Sequence, residues 1–119
     1  MKTILVVDDE FGIADTLSSI LTDEGYRVMV AMNGEEGLAR MGEVKPDLVI
    51  VDFMMPVKSG PDMVREMKAS AELAGVPIIL MSAVSESMVR EECEFTAFLR
   101  KPFDIDKLLA TIASILRDS

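Results

Sequence analysis

Several polar residues with chemistry to offer stand directly after short apolar runs. Asp8, Asp9 and Glu10 follow "ILVV", Asp52 follows "LVIV", Ser82 follows "IILM", and Arg100, Lys101 and Pro102 follow "FTAFL". Each alone has an ordinary explanation: acids start helices, an aspartate or a serine caps backbone, and a lysine is a surface charge. Together Asp8, Asp9, Asp52, Ser82 and Lys101 place three acids, a hydroxyl and an ammonium at the ends of four runs. Two carboxylates about 4 Å apart repel by on the order of 4 kcal/mol at an effective dielectric of about 20, and a divalent cation removes that repulsion. Asp9 and Asp52 can ligate Mg²⁺ directly, with a backbone carbonyl just past Asp52 as a third oxygen and Asp8 holding a metal-bound water. Such a site leaves positions open for phosphate oxygens. Asp52 can then attack phosphorus, since a carboxylate needs no base. Lys101 and Ser82 can stabilise the equatorial oxygens of a phosphoryl group in transfer.

Composition narrows the field. The 119 residues include no histidine, so no imidazole serves as base, ligand or phosphoryl carrier, and oxygen ligands favour Mg²⁺ or Ca²⁺ over zinc. A net charge of −9 repels nucleic acid and anionic lipid. The single cysteine, Cys93, cannot form an internal disulfide, suits a reducing compartment and reads as a small packed residue. No apolar run reaches bilayer length, and "MKTILVVDDEFG" meets acids too early for a secretory signal. The expectation is a soluble, cytoplasmic protein with no membrane association. Its length implies one domain, residues 1–119, without linker or internal repeat.

The elements that must position these residues alternate from end to end. Candidate strands are "TILVV" from Thr3, "RVMVA" from Arg27, "DLVIV" from Asp47, "PIILMS" from Pro77 and "FTAFL" from Phe95. Near-continuous apolarity in the first, third and fourth implies burial on both faces, as in a parallel sheet. Between them, Ala14, Leu17, Ile20 and Leu21 form a helical stripe closing at Gly25. Asn33 caps a second helix, with Glu36 completing a capping box. Pro61 opens a third, with Met63, Val64 and Met67 inward. Ser85 to Glu92 is a short polar fourth. Asp104 caps a last helix carrying Leu108, Leu109, Ile112, Ile115 and Leu116 and closing at "LRDS". Five β-α pairs predict an α/β fold, a flavodoxin-like doubly wound five-stranded parallel sheet of order 2-1-3-4-5 surrounded by five helices. In such sheets function gathers at the carboxyl ends of the strands, beside the topological switch.

Over essentially the whole chain these residues resemble the receiver domain of two-component response regulators, the CheY-like family. "LVVDDE" is similar to its acidic-pair motif, "VDFMMPVKSG" to its phosphoacceptor motif, "LMSA" to its hydroxyl-bearing strand end and "FLRKPF" to its Lys-Pro motif. The resemblance implies that Asp52 accepts a phosphoryl group from a phosphohistidine on a sensor histidine kinase or a histidine phosphotransfer protein. It implies Mg²⁺ handled by Asp8, Asp9 and Asp52 with the Met54 backbone carbonyl, phosphoryl oxygens bound by Ser82 and Lys101, and a cis Lys101-Pro102 bond. Ser82 and Phe98 match the family's switch pair, which implies a phosphorylation-dependent surface on the fourth helix, fifth strand and fifth helix for a downstream protein target. Enzymatic activity is then limited to Mg²⁺-dependent self-phosphorylation and autodephosphorylation.

One region departs from the family pattern. Ser82 and Lys101 are only 19 positions apart, and "CEF" replaces the customary Gly-Ala before the fifth strand, so the fourth helix is expected to be short and the output face unusual. Met54 and Val84 occupy positions that influence the hydrolysing water in relatives, and two apolar side chains there imply slow self-dephosphorylation. Three rival readings meet specific obstacles. A haloacid-dehalogenase-type phosphatase needs a second aspartate two positions after the nucleophile, where this chain has Met54. A receiver-like module that is never phosphorylated would be suggested by a lost site residue, and all five matching positions are intact. A flavin-binding variant would need glycines or hydroxyls where the first run leads into acids. The chain is expected to act as a stand-alone receiver or as part of a longer regulator.

Overall fold

In the computed structural model, which describes residues 1–117, each apolar run becomes a strand and each amphipathic stretch a helix. The order is β1 (Thr3–Val7), α1 (Phe11–Asp23), β2 (Arg27–Ala31), α2 (Gly34–Glu43), β3 (Leu48–Asp52), α3 (Gly60–Ala69), β4 (Ile78–Ser82), α4 (Glu86–Arg90), β5 (Ala97–Arg100) and α5 (Ile105–Arg117). All strand pairs are parallel, in the order β2-β1-β3-β4-β5. Asp118 and Ser119, the end of the "LRDS" stretch, lie outside the described residues. No helix among the described residues is long and apolar enough to cross a membrane.

The period-2 alternation of the strands sorts the core into two layers. Ile4, Val6, Leu48, Ile50, Ile79, Met81 and Leu99 face α1 and α5, meeting Ala14, Leu17, Leu21, Leu108, Ile112 and Leu116. Leu5, Val7, Val49, Val51, Ile78 and Leu80 face the other way, against Met41 of α2, Met63, Val64 and Met67 of α3, and Val89 of α4. β1, β3 and β4 are buried along their whole length, whereas edge strand β2 is not. Each fully buried large side chain contributes about 1.5–3 kcal/mol of transfer free energy, so the three central strands hold the fixed part of the molecule.

Local signals set the helix ends. The Asn33 Oδ1 accepts from the Glu36 N–H at 2.9 Å, and Glu36 reaches back to the Met32 N–H rather than that of the cap residue itself. Asp104 Oδ1 accepts from the Asp106 N–H at 2.8 Å at the head of α5. Gly25, at φ 94°, takes the left-handed conformation that ends α1. α3 carries Pro61 in its first turn, and Ser59 accepts from the Asp62 N–H as an additional cap.

Two expectations need adjusting. Ile20 is only half-buried, so the inward stripe of α1 is Ala14, Leu17 and Leu21. β5 begins at Ala97 rather than Phe95: the Phe95 ring leaves the strand line to pack on Phe98, while Thr96 Oγ1 accepts from the Ile78 N–H.

Candidate functional site

The carboxyl ends of four strands meet beside the place where β1 lies between β2 and β3. Alternation explains which way the polar residues point. Asp8 continues the Ile4-Val6 row, Asp52 the Leu48-Ile50 row and Lys101 follows Leu99, so all three belong to the α1/α5 side of the sheet. Ser82 continues the Ile78-Leu80 row and comes from the opposite side. The strand ends thus converge from both faces on one cavity of about 290 Å³, lined by Asp9, Glu10, Asp52, Phe53, Met54, Ser82, Ala83, Val84 and Lys101. A water occupies about 30 Å³ in the liquid, so this volume accommodates a phosphoryl group with several waters.

Asp8 is fully buried, and its place is determined by backbone. Its N–H donates to the Ala31 carbonyl at 3.0 Å, extending the β1-β2 ladder, and its Oδ1 accepts from the Glu10 N–H at 2.9 Å. Its other oxygen lies 3.3 Å from Lys101 Nζ, which also lies 3.1 Å from Asp52 Oδ1. Glu10 approaches the same ammonium at 3.9 Å from the solvent side. Lys101 is itself fixed from behind: its N–H donates to the Ser82 carbonyl at 2.8 Å, and the Lys101-Pro102 bond is cis. Ser82 is buried, and its Oγ accepts from the Val84 N–H at 3.0 Å.

Asp52 is 7 % exposed, at the end of a strand whose other side chains are all apolar. The turn after it is held by Gly60, whose N–H donates to the Phe53 carbonyl at 3.1 Å. A Cβ on Gly60 would overlap the Asp52 carbonyl oxygen, so the close return of the chain requires glycine. Gly34 serves the same loop from the far side, where a Cβ would come within 2.7 Å of the Lys58 carbonyl oxygen.

Burial and then the negative charge of Asp8 raise the Asp52 carboxyl to about 6, against the opposing hydrogen bond and charge of Lys101; Asp9 adds a smaller upward push. Burial alone would lower the Lys101 ammonium, but the hydrogen bond and charge of Asp52, followed by those of Asp8, outweigh it and hold the ammonium above its ordinary value. The lysine therefore stays charged at neutral pH.

The donor set suits a hard divalent cation. One oxygen from each of Asp8, Asp9 and Asp52 lies within 4.8 Å of the other two, and opposite ligands across a Mg²⁺ ion stand about 4.2 Å apart. With Glu10 also 3.9 Å from the ammonium, four carboxylates face one cation, which leaves the pocket short of positive charge and favours a divalent ion. Among the described residues, no nitrogen- or sulfur-bearing side chain lines the cavity apart from Lys101 and Met54, which fits Mg²⁺ and disfavours zinc.

Of the residues singled out in the sequence, Asp8, Asp9, Asp52, Met54, Ser82 and Lys101 come together at this cavity, and Phe98 does not line it. Phe98 is half-buried on the α2/α3/α4 side, paired in register with Leu80 two positions before Ser82. Glu10 belongs to the site, though the sequence distinguishes it from Asp9 only by position in one acidic run. Cys93 is half-buried, and burial pushes its thiol up, consistent with a packed rather than reactive residue.

Comparison with known proteins agrees with this geometry. The model of the response regulator receiver domain family matches residues 4–113. Sporulation initiation phosphotransferase F of Bacillus subtilis is 34% identical over 118 residues, covering 97% of this chain and 94% of that protein. The DNA-binding response regulator MtrA of Mycobacterium tuberculosis is 33% identical over 119 residues, covering 98% of this chain and 51% of that protein. The chain spans about half the length of the DNA-binding relatives it matches. Among solved structures, Thermotoga maritima TrrA in complex with Mg²⁺-BeF superposes with a TM-score of 0.85 at 35% identity, covering 98% of this chain and 100% of that one.

Proposed function

The chain belongs to the response regulator receiver domain family, and from that premise we propose that Asp52 accepts a phosphoryl group from a phosphohistidine on a sensor kinase or histidine phosphotransfer protein. An Asp52 carboxylate oxygen attacks phosphorus in line with the histidine nitrogen. The N–P bond breaks as the O–P bond forms, and the departing imidazole keeps the electron pair and takes its proton from water. Lys101 is drawn from the Asp52 oxygen to a phosphoryl oxygen, so its charge follows the negative charge as it spreads. The Ser82 hydroxyl donates to another phosphoryl oxygen. Asp8, Asp9, Asp52 and the Met54 backbone carbonyl would hold Mg²⁺, which when bound neutralises carboxylate and phosphoryl charge.

The single observation that carries this reading is the shared ammonium: Lys101 reaches two carboxylates beside a cavity that accommodates a phosphoryl group with several waters. The same groups support self-phosphorylation from a small acyl phosphate, and Met54 and Val84 at the rim support slow autodephosphorylation. We further propose that residues 1–119 act as one receiver domain. As Ser82 moves toward the phosphoryl group, Phe98 turns inward behind it, changing the surface of α4, β5 and α5 offered to a downstream protein. A phosphotransfer assay against histidine kinases and phosphotransfer proteins, comparing wild type with Asp52→Asn, tests the proposal. Label on the wild type alone supports it; label on both, or on neither with every donor, defeats it.

A further inference from the structure

The region where the chain departs from its family's pattern contains a continuous contact from α4 to the switch aromatic. The Phe95 and Phe98 rings lie 5.8 Å apart between centroids, tilted by 42°. Over the Phe95 ring sits the Arg90 guanidinium, 4.2 Å from the ring centroid. Arg90 is itself fixed, donating from two nitrogens to Glu86 Oε2 at 3.0 and 2.8 Å within the short helix. α4 thus reaches Phe95 through a cation, and Phe95 in turn reaches Phe98 ring to ring.

Aromatic pairs in this geometry and cations over ring faces are each attractive beyond simple burial. A contact made in one of two arrangements biases the equilibrium toward that arrangement. The stack coexists with a Ser82 oxygen engaged by the Val84 N–H and with Lys101 on Asp52, the contact from which the proposed phosphoryl transfer draws the ammonium away. We propose that Arg90 and Phe95 are positioning residues forming a latch that holds Phe98 in the resting arrangement, so that phosphorylation must break the stack to switch the output face. This rests on the reading of Ser82 and Phe98 as a coupled switch pair. It gives the shortened α4 a role: a helix of five residues adds little packing of its own, and the stack fastens it to the moving ring.

The test titrates beryllofluoride, at saturating Mg²⁺, into fluorophenylalanine-labelled protein. Affinity is followed together with the fluorine resonance assigned to Phe98 by a Phe98→Leu control. Arg90→Gln and Phe95→Leu should each bind beryllofluoride about 3- to 10-fold more tightly than wild type. The Phe98 resonance of each free variant should already be shifted toward its bound position. Arg90→Lys should restore part of the wild-type behaviour, and the double variant should gain less than the two single gains multiplied. Arg90 is exposed, so its replacement spares the core, and losing a positive charge would by itself weaken anion binding, the opposite sign. Equal affinities with an unmoved Phe98 resonance overturn the latch, as does weaker binding, which would assign the stack to the phosphorylated arrangement. A wild type that takes up no beryllofluoride overturns the receiver reading itself and the latch with it.

Discussion

Lys101 Nζ lies 3.1 Å from an Asp52 oxygen and 3.3 Å from an Asp8 oxygen, so a single ammonium serves two buried carboxylates that come from different strands. The arrangement leaves the pocket under-neutralised, which favours a divalent cation.

Without a divalent ion, Asp52 should cost stability as it ionises. Its carboxyl is raised to about 6 in the folded chain from 3.8, so between those values the native state holds more proton than the unfolded one. Stability from this group is therefore present at low pH and lost as pH rises through that window. In a chelator, Asp52→Asn should overtake wild type between about pH 4 and 6 and stay ahead by on the order of 1 kcal/mol at pH 7, after discounting for solvent screening. Mg²⁺ should narrow the gap by stabilising wild type. Urea titrations across pH measure it; a constant gap contradicts the assignment.

Removing the shared ammonium should affect both carboxylates at once. Lys101→Met is expected to lower metal-free stability at pH 7 by about 2–3 kcal/mol, since it leaves Asp8 and Asp52 adjacent and uncompensated. Mg²⁺ should recover part of that loss without restoring phosphoryl uptake. Denaturation midpoints with chelator and with Mg²⁺ separate the two effects.

Val57, on the loop after Asp52, holds φ at 67° with its side chain 76% exposed. A β-branched residue is strained there, and nothing in its packing offsets the strain. Val57→Asn should raise stability by about 1 kcal/mol and leave phosphoryl uptake unchanged. Loss of stability would show that the valine makes a compensating contact.

Met54 and Val84 present apolar side chains to the cavity. Neither can orient a water toward the acyl phosphate. Met54→Asn should therefore shorten the phosphoprotein lifetime, roughly tenfold if the amide acts as a modest water-positioning group. Decay of the phosphorylated mass with time reads this directly, and an unchanged lifetime removes Met54 from any role in hydrolysis.

The sheet and its order were legible because burial on both faces makes β1, β3 and β4 continuous apolar runs, and each polar residue that breaks a run stands at a strand's carboxyl end. The caps Asn33 and Asp104 were readable from local side-chain chemistry. Contacts between elements distant in sequence left weaker traces. Nothing in "EFTAF" tells that Phe95 leaves the strand to sit under Arg90, since that depends on where the short α4 packs. The need for glycine at position 34 depends on a carbonyl of Lys58, more than twenty residues away. Which of the adjacent acids turns inward depends on β1 parity and on Asp8 bonding to the Glu10 N–H, and the run "DDE" does not display either.

The most direct measurement is intact-protein mass after incubation with acetyl phosphate, run with Mg²⁺ and with chelator, on wild type and Asp52→Asn. The expected result is a gain of one phosphoryl group by wild type only, and only with Mg²⁺, located on the peptide containing Asp52. A folded wild type that gains no mass, or an Asp52→Asn protein that gains it equally, contradicts Asp52 as the phosphoacceptor.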